Sequence, residues 1–230
     1  MADDQLPKLS SAAQVAEFLR QVDLTPHNQS QGRLVFALDA TASRQSSWDQ
    51  ACHLQAEMFR ETARLGGLAI QLVWYRGLGE FKASRWVIHS TDLLKAMSGV
   101  WCQGGLTQIE RVLRHTLAET RQQPVTALVF VGDCVEENVD TLYSLAGELG
   151  LLNVPIFIFH EGREAGAAKA FRRITQLSRG AYCAFDAGSA QQLKELLSAV
   201  AVYAAGGRQA LKKLGRQKGG LTLKLTHQLG

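Results

Sequence analysis

Apolar runs of strand length recur along this chain, each ending in a polar residue. Leu34-Val35-Phe36-Ala37-Leu38 ends at Asp39, Ala127 to Val131 ends at Gly132-Asp133, and the stretch from Leu68 to Tyr75 is a further such run. Pro155 to Phe159 and Tyr182 to Phe185 complete the series. Unbroken apolar strands are those buried on both faces, which is the habit of parallel sheets. Between the runs the apolar period changes to that of a helix. Ala51, Leu54, Met58 and Leu65 share a face that Gly66-Gly67 closes; Ile109, Val112, Leu113, Thr116 and Leu117 share another. Val139, Leu142, Ala146 and Leu149 follow, then a helix from Ala165 to Leu177, then Leu193, Leu196, Leu197, Val200 and Ala204.

Two stretches break the alternation. Gly77 and Gly79 bracket a turn, so Phe81 to Ile88 reads as a strand returning antiparallel at an edge. A short helix is expected from Thr91 to Ser98. The whole pattern predicts an α/β fold, a doubly wound and mostly parallel sheet with one antiparallel edge strand and helices on both faces. In such sheets a ligand site lies beyond the carboxyl ends of the strands, where strand order reverses. The polar residues just after the strands are therefore the ones to weigh.

The first such segment, Asp39-Ala40-Thr41-Ala42-Ser43, sets one carboxylate and two hydroxyls within five residues of a buried strand. The second, Gly104-Gly105-Leu106-Thr107, is a flexible loop ending in a hydroxyl where a helix begins. The third is Val131-Gly132-Asp133. Asp39, Thr41, Ser43, Thr107 and Asp133 together are oxygen donors, two charged and three neutral, which is the ligand chemistry that Mg²⁺, or Mn²⁺ in its place, selects. Each residue taken singly also reads as a helix cap.

The order D-x-T-x-S, G-G-x-T, G-D, each after or before the right element, resembles the metal-ion-dependent adhesion site of the von Willebrand factor A (vWA) family. The resemblance covers about Arg33 to Ala205 and is nearest to the bacterial intracellular members. It implies a Rossmann-like vWA fold whose cation is contacted by the hydroxyls of Thr41, Ser43 and Thr107, and by Asp39 and Asp133 directly or through water. Glu136 and Glu137 are possible supplements. It further implies a protein-interaction module, adaptor or chaperone-like, whose partner completes the cation's shell with an Asp or Glu; an AAA-type ATPase is the partner class expected of intracellular members. The sequence departs from the usual pattern at Thr41, where serine is customary, and at Gly132-Asp133-Cys134, where T-D-G is.

Composition narrows this little. The 230 residues are 46% hydrophobic and 20% charged, globular values for one domain. The net charge of +4 is local: Arg208, Lys212, Lys213, Arg216, Lys218 and Lys224 stand in a stretch without acids. The chain divides into an N-terminal helical extension (1–32, with Ser11 and Gln14 at capping-box spacing before Val15, Phe18, Leu19 and Val22), the vWA-like domain (33–205) and a basic tail (206–230). Within the tail, Ala210, Leu211 and Leu214 would extend a helix, and Leu221, Leu223 and Leu225 alternate as a strand does. The start shows no export signal and no run is long enough for a bilayer, so a cytoplasmic protein with no membrane contact and free thiols at Cys52, Cys102, Cys134 and Cys183 is expected.

Two other functions remain as alternatives. A Mg²⁺-dependent hydrolase on the same sheet lacks a general base: His89, His115 and His160 read as surface or packing residues, with none expected near the three site segments, and Glu136 or Glu137 would have to serve. Nucleic-acid binding through the basic tail is the second, and is not expected of the domain as a whole. Trp101, just before the site loop, is read as a possible frame for a binding surface.

Overall fold

A computed structural model of the chain describes residues 32–45, 48–49, 51–53, 67–185 and 190–218, together with Glu17. The expected N-terminal helix, most of the face from Leu54 to Leu65, and the alternating leucines at 221–225 lie outside the described residues.

The elements run in the anticipated order. Strand β1 (Gly32–Asp39) leads through a 3-10 turn (Ala42–Arg44) toward β2 (Leu68–Arg76) and β3 (Glu80–Ala83). Helices α1 (Ser90–Ser98) and α2 (Ile109–Gln122) follow, then β4 (Ala127–Gly132), α3 (Val139–Leu151) and β5 (Ile156–Glu161). Helix α4 (Ala165–Leu177), β6 (Ala181–Phe185) and α5 (Ala190–Lys218) complete the described chain. The sheet order is β3-β2-β1-β4-β5-β6. All pairings are parallel except β2 with β3.

Alternate residues of the buried strands feed two cores, one on each face of the sheet. Leu34, Phe36, Leu38, Val129, Val131, Phe157 and Phe159 face α1 and α5. Val35, Ala37, Leu128, Phe130, Ile156 and Ile158 face α2, α3 and α4. Residues 199–204 of α5 are all buried, and Tyr203 packs edge-on to Phe157. The helix passes through Gly206-Gly207 without a break, so the point where the sequence suggests a tail begins lies inside it; Ala210 and Leu214 still pack on the core.

The edge strand is shorter than the run from Phe81 to Ile88 predicts. Regular pairing stops at Ala83, because the Ser84 hydroxyl accepts from the Leu72 amide (3.0 Å) in place of a backbone carbonyl. Pairing resumes at a single bridge between Ile70 and Val87. The helix expected near Thr107 begins at Ile109.

Strand β1 has β2 on one side and β4 on the other, and successive connections leave it in opposite directions. This reversal opens a crevice at the carboxyl ends of β1 and β4. Asp39 closes β1 and Asp133 follows β4.

Candidate metal centre

Asp39 is 2% exposed, and both carboxylate oxygens are engaged. Oδ1 accepts from the Thr41 amide at 2.7 Å, which folds the chain into the turn carrying Ser43. Oδ2 accepts from the Tyr75 hydroxyl at 3.1 Å. Tyr75 is the last residue but one of β2 next door, and its ring lies in the core stacked near Phe130. Ser43 Oγ donates to Asp133 Oδ2 at 2.7 Å and lies 3.4 Å from Thr41 Oγ1. Four of the five expected donors are thus linked within one hydrogen-bonded group. The Thr41 side chain makes no capping hydrogen bond to the short turn that follows it.

The fifth, Thr107, is held from the Asp133 loop. Its amide donates to Glu136 Oε2 (2.8 Å), its hydroxyl donates to Glu137 Oε2, and the Glu136 amide donates back to that hydroxyl (3.0 Å). Glu137 Oε1 also accepts from the Glu110 amide at 3.1 Å, satisfying one of the unpaired N–H groups that open α2. The two glutamates read as supplementary ligands are thus the clamp on Thr107. Sequence alone missed this, since a cap supplied from another loop leaves no local spacing.

The loop between α1 and α2 has no regular structure but is tied down along its length. Gln103 N donates to the Ala40 carbonyl (2.9 Å), and Leu106 N to that of Gly77 (3.3 Å). Gly105 is required: a Cβ there would stand 2.1 Å from the Gly77 carbonyl oxygen. At Gly132 a Cβ would stand 2.7 Å from the tip of the Phe130 ring, which would have to shift in the packed core. That contact is a physical reason why glycine, rather than the threonine of the usual pattern, precedes Asp133.

Electrostatics make the crevice short of positive charge. Burial pushes the Asp39 carboxyl up to about 6, and the nearby Asp133 adds to this, while the hydrogen bonds from Thr41 and the Arg44 charge pull the other way. Arg44 is buried beside the turn and pairs with Glu161 at the end of β5. A pair of neighbouring carboxylates, one deeply buried and pushed up by that burial, together with three hydroxyls, fits a hard divalent cation. Among the described residues no three of His, Cys, Asp and Glu come together as a metal-ligand cluster, so a site here has to draw on hydroxyls.

His160 corrects the expectation that no histidine lies near the site segments. It stands fully buried at the end of β5, with Nε2 3.1 Å from the Asp133 carbonyl and Nδ1 2.8 Å from the Tyr182 hydroxyl. Burial lowers its pKa below the ordinary imidazole value, favouring the neutral ring. Both ring nitrogens being taken, it braces the Asp133 loop and is not an accessible base. Cys134 is partly buried, and burial with Glu136 and Asp133 nearby raises its thiol pKa, opposite to activation. All four cysteines are free thiols.

The sequence matches no protein-family model and no curated protein. Solved structures do match in shape. The SpRpn10 VWA domain aligns with TM-score 0.57 at 15% identity, over 73% of this chain and 94% of that one. A von Willebrand factor type A protein from Catenulispora acidiphila aligns with TM-score 0.62 at 14% identity, over 75% of this chain and 43% of that one. The fold is that of a vWA domain. The manganese-loaded Plasmodium vivax TRAP protein also aligns, with TM-score 0.50 at 12% identity, over 73% of each chain. Within the vWA fold of this chain, the hydrogen-bonded donors sit at the reversal of strand order, and no described helix is long and apolar enough to cross a membrane.

Proposed function

We propose that this chain is a divalent-cation-dependent protein-interaction module whose partner supplies a carboxylate to a cation held at the carboxyl end of β1 and β4. The observation that carries the reading is the joined set Asp39, Thr41, Ser43 and Asp133 at the strand-order reversal, with Asp39 short of counter-charge. Asp39 and Asp133 would neutralise the ion, while the hydroxyls of Thr41, Ser43 and Thr107 would hold it without adding charge. The ion supplies a strong preference for an anionic oxygen. The protein's part is to hold the donors: Tyr75 fixes Asp39, His160 fixes the Asp133 backbone, and Glu136 and Glu137 fix Thr107. Mg²⁺ is the expected ion and Mn²⁺ its substitute; the manganese-loaded neighbour of like fold supports a divalent ion.

Binding without turnover is favoured over hydrolysis because the nearby bases are occupied. His160 is buried with both nitrogens engaged, and Glu136 and Glu137 are both committed to Thr107. The finer parts of the reading, a cytoplasmic location and a partner of the AAA-type ATPase class, rest on the family resemblance. So does the division into an N-terminal extension, a vWA-like domain and a basic tail.

Titration calorimetry with Mg²⁺ tests the site, and comparison of wild type with Ser43→Ala and Asp133→Ala assigns it. Heat of binding in the wild type that both variants lose is the expected result. An absence of any Mg²⁺ or Mn²⁺ binding up to millimolar concentration would sink the proposal.

A further inference from the structure

Most exposed apolar side chains on a protein are scattered singly. Here three of the most exposed ones gather on one surface beside Thr107: Leu78 (91% exposed), Trp101 (62%) and Leu106 (55%). Their proximity follows from the contacts that tie their backbones together. Leu106 N donates to the carbonyl of Gly77, the neighbour of Leu78. The guanidinium of Arg76, one residue further back, donates to the Trp101 carbonyl at 2.7 Å and lies 4.1 Å from the centre of the Trp101 ring.

The surface is also rigid in a way that its exposure alone does not require. Cys102 N donates to Gln45 Oε1 (3.0 Å) and Gln103 N to the Ala40 carbonyl (2.9 Å). Gln108 Nε2 reaches the carbonyls of Arg76 (3.4 Å) and Glu80 (3.3 Å), locking the β2–β3 turn to the start of α2. Apolar side chains presented to solvent on a braced platform lose little freedom when covered, which is the arrangement that favours binding. A large aromatic at the centre of such a patch is the usual anchor.

Charge names the occupant. At the outer rim, Arg111 is exposed and donates only to neutral oxygens, those of Gly79 (2.7 Å) and the Gln108 side chain (2.6 Å). At the inner rim would stand the cation of the reading above, on which this inference rests; its open coordination position, not net charge, would take an acid, since Asp39, Asp133, Glu136 and Glu137 also lie there. An apolar strip with an acid-binding group at each end fits a segment with an acid at each end and a large apolar residue between.

We propose that Leu78, Trp101 and Leu106 form the specificity surface of this module, and that they select a partner segment in which the metal-binding Asp or Glu is flanked by a large apolar side chain, with a second acid directed toward Arg111. The patch makes the partner an acidic–apolar peptide rather than any exposed carboxylate.

The test is selection of a random peptide library displayed on phage against the immobilised full chain in millimolar Mg²⁺, with elution by EDTA. Enriched peptides should carry Asp or Glu within a few positions of Phe, Trp, Leu or Ile. Synthetic copies should bind Trp101→Ala and Leu106→Ser at least tenfold more weakly by fluorescence polarisation. Mg²⁺ affinity of both variants should stay within twofold, and their melting should be unchanged; Leu78→Ser, on the exposed turn, is the substitute if either variant fails to fold. Arg111→Gln should weaken peptides with a second acid more than those without one. Acidic peptides that elute with EDTA but show no apolar preference, or that ignore the patch variants, overturn this proposal while leaving the metal reading intact. Apolar peptides that need the patch but survive EDTA sink the metal reading and overturn the paired acidic–apolar motif. An empty selection overturns the proposal, as does a dimer in sedimentation that Leu106→Ser dissolves, which would assign the patch to a second copy of the chain.

Discussion

The two ends of this sheet carry carboxylates in opposite electrical circumstances. At the amino end, Glu119 on α2 accepts from Trp86 Nε1 (2.8 Å) and Gln71 Nε2 (3.4 Å) and pairs with Arg33 at 3.3 Å, whose guanidinium lies 3.9 Å from the centre of the Trp86 ring. Partial burial alone would raise its pKa, but these donors with His115 outweigh it and hold it below the usual carboxylate range. At the carboxyl end, Asp39 has hydrogen bonds but too little positive charge, and it is pushed up to about 6. One end is electrically closed and serves the fold. The other is left open by an amount that a cation would fill. Perturbation toward the charged form falls on a structural group here, and perturbation away from it falls at the proposed site.

Breaking the closed end should have the larger effect on stability. Glu119→Ala removes the charged partner of the buried Arg33 guanidinium, leaving it the Gln123 carbonyl and the Trp86 ring, and such losses run up to about 3 kcal/mol. Denaturant unfolding should show that loss, with Mg²⁺ affinity by calorimetry unchanged. Equal loss of both would mean that the two ends are coupled.

At the open end, saturating Mg²⁺ should raise the melting temperature. At a hundred times the dissociation constant the gain is about 2.7 kcal/mol. Asp39→Asn should abolish that response. In metal-free solution at neutral pH the same variant should be the more stable protein, by about 1–2 kcal/mol, since it removes a buried charge that lacks compensation. A destabilised metal-free Asp39→Asn would show that the carboxylate is needed by the fold itself.

The pH dependence sharpens the contrast further. Asp39 has a folded value of about 6 against an ordinary 3.8, so between the two the folded state holds more protons than the unfolded. Its contribution to metal-free stability is therefore fully present below about pH 4 and is lost as pH rises through 6. Melting followed from pH 4 to 7 should show this fall in the wild type and not in Asp39→Asn, and Mg²⁺ should flatten it. Smallest of all, Trp86→Phe removes one donor to Glu119 and should lower stability by about 1 kcal/mol without altering the metal response.

What the sequence made legible was whatever depends on short spacing. The buried strands stand out as unbroken apolar runs, and the donors stand out because they interrupt them. The α2 face from Ile109 to Leu117 is buried as its period predicts. What stayed hidden depends on which strands become neighbours. Tyr75 reaches Asp39 only because β2 pairs with β1 in parallel register, opposing those two residues. His160 reaches Asp133 because β5 lies beside β4, and Glu137 reaches Thr107 because their loops share one end of the sheet. A tyrosine closing an apolar strand at the carboxyl edge is a faint signal of a polar tip in need of a partner. No comparable local mark exists for the glutamates. The short edge strand was misread for a different reason: Ser84 supplies from its side chain a hydrogen bond that the pattern assigns to the backbone.

Gly32, the first residue of β1, has no room for a side chain because the carbonyl of Ala204 in α5 would stand 2.3 Å from its Cβ. The strand that ends in Asp39 is therefore roofed by the last of the described helices, and nothing earlier in the chain can take that place. During synthesis the ribosome delivers the donors of the crevice long before it delivers their roof. A nascent chain with all five donors already exposed still lacks the support that aligns β1, so the arrangement that joins the donors arrives late and together with the completed fold.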